Sequence, residues 1–202
     1  MYLPPKFKFE NQAEILEIIG KYPLATVISN AEEGPFVSHL PLVMDHYAGG
    51  VSLLGHLARA NPHWKLLNGS EVTAIFHGPN AYITPKWYAE NDVPTWNYAV
   101  VHIKGRVELI DEKEGIIDCL KKLTAHAEAG SKAPWEFWIP EERANLSQMI
   151  VGFRIVVDEM NAKFKMSQNR SDEDRKGAIE GLKDRGDETS REVARLMSKL
   201  LL

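Results

Sequence analysis

The sequence is poor in cysteine, in long apolar runs and in concentrated basic charge. A single cysteine, Cys119, in 202 residues excludes an intramolecular disulfide and fits a reducing compartment. No stretch comes near the ~18 consecutive apolar residues of a membrane span. The opening residues, MYLPPKFKFENQ, hold no apolar segment of the secretory kind, so a cytoplasmic protein is expected. Seven histidines (His39, His46, His56, His63, His77, His102 and His126) show no HExxH spacing, and CxxC is absent, so no metal site is expected. GxSxG, the P-loop and GxGxxG are missing as well. Lys and Arg number 24 against 28 Asp and Glu, a net charge of -4, which gives no support to a nucleic-acid binder.

What is present is an ordinary globular composition, 44% apolar and 26% charged. At about 150 residues per domain, the length allows one domain with an extension. A chain of this size buries roughly 70% of its unfolded surface without staples.

Patterning points to strands. Asn11 caps a short helix with an Ile15, Ile18, Ile19 stripe that Gly20 closes. Leu24–Ser29, Phe36–Met44, Val51–Gly55 and Glu71–His77 read as strands, and the Tyr47–Gly50 turn marks a hairpin. A helix is expected over Ala60–Asn68, a strand break at Gly78-Pro79, a further short strand over Tyr82–Pro85 and a structured loop over Trp87–Tyr98. Val101–Leu109 alternates cleanly as a half-buried strand. Asp111 caps a helix with Cys119 on its apolar side, where packing is the expected role. Pro134–Pro140 breaks regular structure, and a short helix is expected around Glu141–Ser147. Val151–Val157 is a strand, with Phe164–Ser167 pairing back across an Asn161-Ala162 turn. Ser171 and Ser190 cap two final helices. Many short strands with few helices between them suggest an antiparallel barrel, a mainly β fold with added helices.

Two constellations could carry chemistry. In Gly55-His56-Leu57-Ala58-Arg59-Ala60-Asn61-Pro62 a strand runs into a helix start, where free N–H groups attract an anion. Arg59 adds a forked cation suited to phosphate, and His56 and Asn61 add donors. An ordinary turn with a surface arginine explains the same residues. Trp87, Tyr88, Trp96 and Tyr98 cluster beside Asn97, either as packing or as the wall of a slot for a flat ligand. Together the two would suit a phosphorylated planar cofactor.

Six strings in order then carry a resemblance: Met1-Tyr2-Leu3-Pro4, His39-Leu40-Pro41-Leu42, the Gly55–Pro62 segment, Val93-Pro94-Thr95-Trp96-Asn97-Tyr98, Ile150-Val151-Gly152-Phe153 and Lys165-Met166-Ser167-Gln168-Asn169-Arg170. The sequence resembles the PaiB family of FMN-binding negative transcriptional regulators from Met1 to about Leu182. The resemblance implies an FMN-binding split β-barrel with a helical C-terminal tail, acting as a homodimer with the flavin pocket at the subunit interface. It implies negative control of sporulation and degradative-enzyme genes. It places the phosphate on the turn carrying His56, Ala58, Arg59 and Asn61, and the flavin ring against the backbone of His39, Leu40, Pro41 and Leu42. Trp96, Asn97 and Tyr98 would close the pocket from the partner subunit, with Lys165, Ser167, Gln168 and Arg170 at its rim.

Other readings stay open. One is an FMN-dependent oxidoreductase, for which His56, His102 and Tyr98 are candidate acid–base groups. Another is a haem-binding relative on the same barrel. Direct DNA binding has little support: from Arg170 onward, eight basic residues face eight acidic ones, the mark of a solvated helix surface. The expected organisation is one barrel domain over 1–170, with 171–202 as its helical extension.

Overall fold

In the computed structural model, which describes residues 1–47, 49–90, 92–135 and 147–201, the chain is mainly antiparallel β-structure with added helices and two helices at its C-terminal end. That is the expected fold class. β1 (Lys8–Phe9) precedes α1 (Gln12–Lys21), whose first turn Asn11 caps by accepting the Glu14 N–H at 3.3 Å. β2 (Leu24–Ala31) and β3 (Gly34–Pro41) form a hairpin, and β4 (Val43–Tyr47) and β5 (Gly50–Ala58) a second. Gly34 and Gly50 start the return strands at φ +117° and +122°, a backbone that L side chains rarely adopt. Then come α2 (His63–Leu67), β6 (Glu71–Ile83), β7 (Thr95–Ile110), α3 (Lys113–Ala127), β8 (Ile150–Lys165), α4 (Asp172–Arg185) and α5 (Glu188–Lys199). Strand pairing follows the order β3-β2-β6-β7-β8-β5-β4, with β1 added to β8.

The chain divides into two compact units, and β6, β7 and β8 each belong partly to one and partly to the other. The larger unit comprises Ile19–Phe76 and His102–Met160. Phe76, Phe153, Leu42, Leu53, Ile103 and Ile155 are among its largest fully buried side chains. Alternation puts Leu53, Gly55 and Leu57 on one face of β5 and Leu54 and His56 on the other. Gly55 is required by crowding, since a Cβ there would meet Leu42 and Phe153. On the opposite face Leu54 packs with Val43 and with Cys119 of α3.

The smaller unit comprises Met1–Ile18, His77–Val101 and Asn161–Leu202. Phe9 of β1 stacks on Phe164 of β8, ring centroids 4.0 Å apart. Ser171 caps α4 by accepting the Asp174 N–H at 3.1 Å, and Gly186 ends it at φ 75°. Trp87 lies on the glycine face of α4, where a Cβ at Gly181 would enter its ring. Arg195 and Lys199 of α5 reach Glu17 and Glu14 of α1.

Several local expectations are corrected. β6 does not stop at Gly78-Pro79 but runs to Ile83, taking in the start of the expected Tyr82–Pro85 strand. Gly78 is there for a close approach, since a Cβ would crowd Ala99 and Ile18. The expected loop before Tyr98 ends earlier, because Thr95 already begins β7, with Asn97 inward and Trp96 outward. No turn forms at Asn161-Ala162, because β8 runs straight through and pairs there with β1, Ala162 opposite Phe9. α2 starts at His63, not Ala60, because Pro62 occupies the N-cap. Asp111 caps nothing and pairs with Arg59, while α3 has Glu112 at its N-cap without a side-chain bond. Asp187, not Ser190, caps α5, accepting the Ser190 N–H at 2.8 Å. The expected break over Pro134–Pro140 and the helix around Glu141–Ser147 fall largely outside the described residues.

Gly105 tests the strand packing. A Cβ there would land on the Val156 carbonyl oxygen of the neighbouring strand. Gly105→Ala is expected to cost about 1–3 kcal/mol as overpacking, read as a lower urea midpoint at unchanged m-value. A midpoint equal to the parent's would show that the strands separate freely at this point.

Candidate functional site

The turn after β5 is built around Arg59. Its main-chain N–H donates to Met149 O at 2.8 Å. Its Nε donates to Gln148 O at 2.9 Å, and its Nη2 donates to Ile150 O at 3.1 Å and to the Asp111 carboxylate. The Trp64 indole lies beside the guanidinium and donates back to Arg59 O at 2.9 Å. Nη1, with two donors, bonds to nothing among the described residues. The side chain stays 36% exposed, so this fork is fixed in direction and open to solvent.

Asn61 follows, with both ends of its amide in use. Oδ1 accepts the His63 N–H at 3.0 Å and Nδ2 donates to Ser38 Oγ at 3.2 Å. The free N–H groups expected at a helix start near Ala60 are therefore partly satisfied within the turn. His63, fully buried, is held through both ring nitrogens, 2.8 Å from Ser38 Oγ and 2.8 Å from Ser29 Oγ. Burial lowers its pKa, so the ring is neutral.

The β3 residues offer mostly backbone. Leu40 and Leu42 are buried, Pro41 has no N–H, and exposed His39 bonds through Nδ1 to Thr26 Oγ1 at 3.1 Å. β3 is an edge strand, bonded along one side to β2, so its other edge presents main-chain groups. Ala58 is exposed at the end of β5. His56 shares the β5 face of Leu54, and its buried Nδ1 has no partner among the described residues. Burial lowers its pKa too.

The second group of expected residues lies within the smaller unit. Asn97, fully buried, exchanges bonds with Ser167 Oγ and reaches Met197 Sδ at 3.4 Å. Ser167 sits at φ 61°, an uncommon conformation for a residue other than glycine. Gln168 clamps the end of β8, accepting from Met166 N at 2.6 Å and donating to Phe164 O at 2.5 Å. Lys165 Nζ donates to Thr95 Oγ1 and, at 3.0 Å, to Trp96 O; burial lowers its pKa. Trp96 is 50% exposed beside Tyr82, its indole donating to Asn80 at 3.1 Å. Tyr98 lies near Lys163, and Arg170 pairs with Asp92 and covers the Tyr88 ring. Asn97, Ser167, Gln168 and Arg170 are thus committed to protein partners, while Trp96, Tyr98 and Lys165 keep open surface. Among the described residues no group of three or more His, Cys, Asp or Glu could hold a metal.

Sequence reasoning missed Ser29, Ser38, His63 and Asp111. Asp111 was masked by its helix-cap spacing. The carbonyls of Gln148 and Ile150 carry no side-chain signal.

Comparison with known proteins decides the family. The family described as "Putative FMN-binding domain" matches over residues 1–159. The chain belongs to this FMN-binding-domain family. Protease synthase and sporulation protein PAI 2 of Bacillus subtilis is 32% identical over all of this chain and 98% of its own length, so the PaiB likeness runs end to end. Among solved structures, the FAD and heme binding protein from Mycobacterium smegmatis aligns with a TM-score of 0.64 at 15% identity, covering 83% of this chain and 78% of that one. The flavocytochrome Anf3 from Azotobacter vinelandii aligns at 0.60 and 18% identity, covering 78% and 69%. At such identity these two share the fold alone with this family member. No helix among the described residues is long and apolar enough to cross a membrane.

Two measurements follow for this family member. His56 and His63 have folded-state values below the ordinary 6.5, so the unfolded chain takes up protons first on acidification. The stability from their neutral rings is complete above pH 6.5 and is lost as pH falls through the folded values. The melting midpoint is expected to drop between about pH 7.5 and about pH 5.5, less steeply in His56→Gln; equal slopes would remove His56 from that balance. Burial pushes the Cys119 thiol up to about 11, and its Sγ donates to Gly55 O at 3.4 Å. An aromatic disulfide reagent should label it only after denaturation; fast labelling of native protein would contradict its burial.

Proposed function

We propose that the chain is an FMN-binding split-barrel protein of the PaiB type, with the phosphate held at Arg59. The observation that carries the reading is the Arg59 fork. Asp111 and two main-chain carbonyls fix it, while Nη1 bonds to nothing among the described residues and offers its donors to a ligand. Three features support FMN as the group received. The free edge of β3 at His39–Pro41 presents main-chain groups suited to the polar rim of a flat ring, although Pro41 has no N–H and the Leu42 N–H is already donated to Pro23 O at 2.9 Å. His56 Nδ1 is buried and has no partner among the described residues, a position that a bound ligand or water would satisfy. Asn61 is already anchored at the turn.

FMN, when bound, supplies electron or hydride transfer that no side chain of this turn provides. The chain's own residues do the holding. Arg59 neutralises phosphate charge, β3 orients the ring through backbone, and Leu40 and Leu42 keep their side chains in the core behind it. We assign Lys165 and Trp96 the role of closing a flavin pocket across a homodimer interface. In support, Lys165 has a third N–H beyond its two bonds, and Trp96 and Tyr82 leave large rings in solvent. A negative regulatory role of the kind the PaiB resemblance implies would act through the flavin. Arg195 and Lys199 of the helical tail are paired with carboxylates and not arrayed for phosphodiesters.

The test compares FMN with riboflavin, which lacks the phosphate. FMN is expected to bind at micromolar Kd or tighter, on the order of -8 kcal/mol. Arg59→Ala removes charge-assisted hydrogen bonds worth about 1.5–3 kcal/mol, so FMN affinity should fall about 10- to 100-fold while riboflavin changes little. Equal losses for both ligands in a folded variant would take the phosphate away from Arg59. No saturable FMN binding by the parent would end the reading.

A further inference from the structure

The strand and the turn proposed above to hold FMN come from separate parts of the sequence, and one buried residue ties them together. Ser38 of β3 immediately precedes the His39–Leu42 edge. Its Oγ meets His63 Nδ1 at 2.8 Å and takes the Asn61 Nδ2–H at 3.2 Å. The other ring nitrogen of His63 meets Ser29 of β2 at 2.8 Å, and its main-chain N–H holds Asn61 Oδ1 at 3.0 Å. The Phe36 ring lies 4.6 Å from the imidazole, centroid to centroid. Ser29, Ser38 and His63 are all buried.

The chemistry suits a fixed clasp. A neutral imidazole has one N–H and one lone pair, and each serine hydroxyl can donate or accept. Either tautomer is therefore satisfied at both ends. Burial keeps the ring neutral. No charge is needed and no buried polar group of the ring is left over. A leucine or phenylalanine of similar bulk would fill the space yet leave the Ser38 and Ser29 hydroxyls without their ring partner.

We propose that His63 is a positioning residue that sets the turn carrying Arg59 and Asn61 in register with the β3 edge, through the chain His63–Ser38–Asn61. The proposal rests on the FMN reading of this turn. Its consequence is selectivity: the clasp matters for a ligand that must touch turn and strand at once, and little for one that uses the strand alone.

Ser38→Ala, Ser38→Thr and His63→Asn in the full chain test it, with FMN and riboflavin titrations and amide hydrogen exchange. Ser38→Ala keeps the imidazole in place and removes only the shared hydroxyl. It should weaken FMN about 10-fold and riboflavin less than about 3-fold. It should also speed exchange of the His63 amide at least about 10-fold, with the β6 amides unchanged. Ser38→Thr, which restores the hydroxyl, should recover both. A merely structural role would lower the melting midpoint and leave the ratio of the two affinities alone, which overturns the proposal. His63→Asn, if it folds, should behave as Ser38→Ala does; FMN binding equal to the parent's also overturns it. A parent chain that binds no FMN sinks the functional reading instead. In that case the clasp is decided by exchange alone: an unprotected His63 amide in Ser38→Ala upholds it and an unchanged one refutes it.

Discussion

The capture of the Arg59 guanidinium by a carboxylate and two main-chain carbonyls is the constraint on which the candidate site depends. A free surface arginine samples many rotamers, and ordering it on a ligand costs side-chain entropy of up to about 2 kcal/mol. Here folding has already met that cost: Asp111 and the carbonyls of Gln148 and Ile150 hold Nε and Nη2. The ion pair alone is exposed, and such pairs contribute about 0–1 kcal/mol. Its value is directional. It fixes a part-exposed guanidinium on a turn that Asn61, Ser38 and His63 keep in place.

The smaller unit has a different economy of polar groups. Asn97, Ser167 and Gln168 are drawn into the core or into the end of β8, where their bonds hold an uncommon backbone at Ser167. Family motifs and ligand contacts are therefore not the same thing. The Lys165–Arg170 string contains residues that keep the fold beside others, such as Lys165, that retain a free donor.

Much of the β-structure could be read from alternation, as in Val101–Leu109 and Val151–Val157, because each stretch buries every second side chain. What escaped was punctuation overruled by packing. Gly78-Pro79 looked like a stop, yet Gly78 serves a close approach to Ala99 and Ile18. Asn161-Ala162 looked like a turn, yet pairing with β1 keeps it extended. Arg59 was legible from its residue type beside a strand end. Its partners were not, since 52 residues separate it from Asp111 and 89 from Gln148. His63 hid for a related reason: nothing in the sequence around it announces two serines from other strands.

A crystal structure of the chain with FMN bears most directly on this account. The account predicts a phosphate oxygen within about 3 Å of Arg59 Nη1 and the isoalloxazine edge on the main chain of His39–Leu42. A phosphate held elsewhere, with Arg59 still turned to Asp111 and solvent, would contradict it.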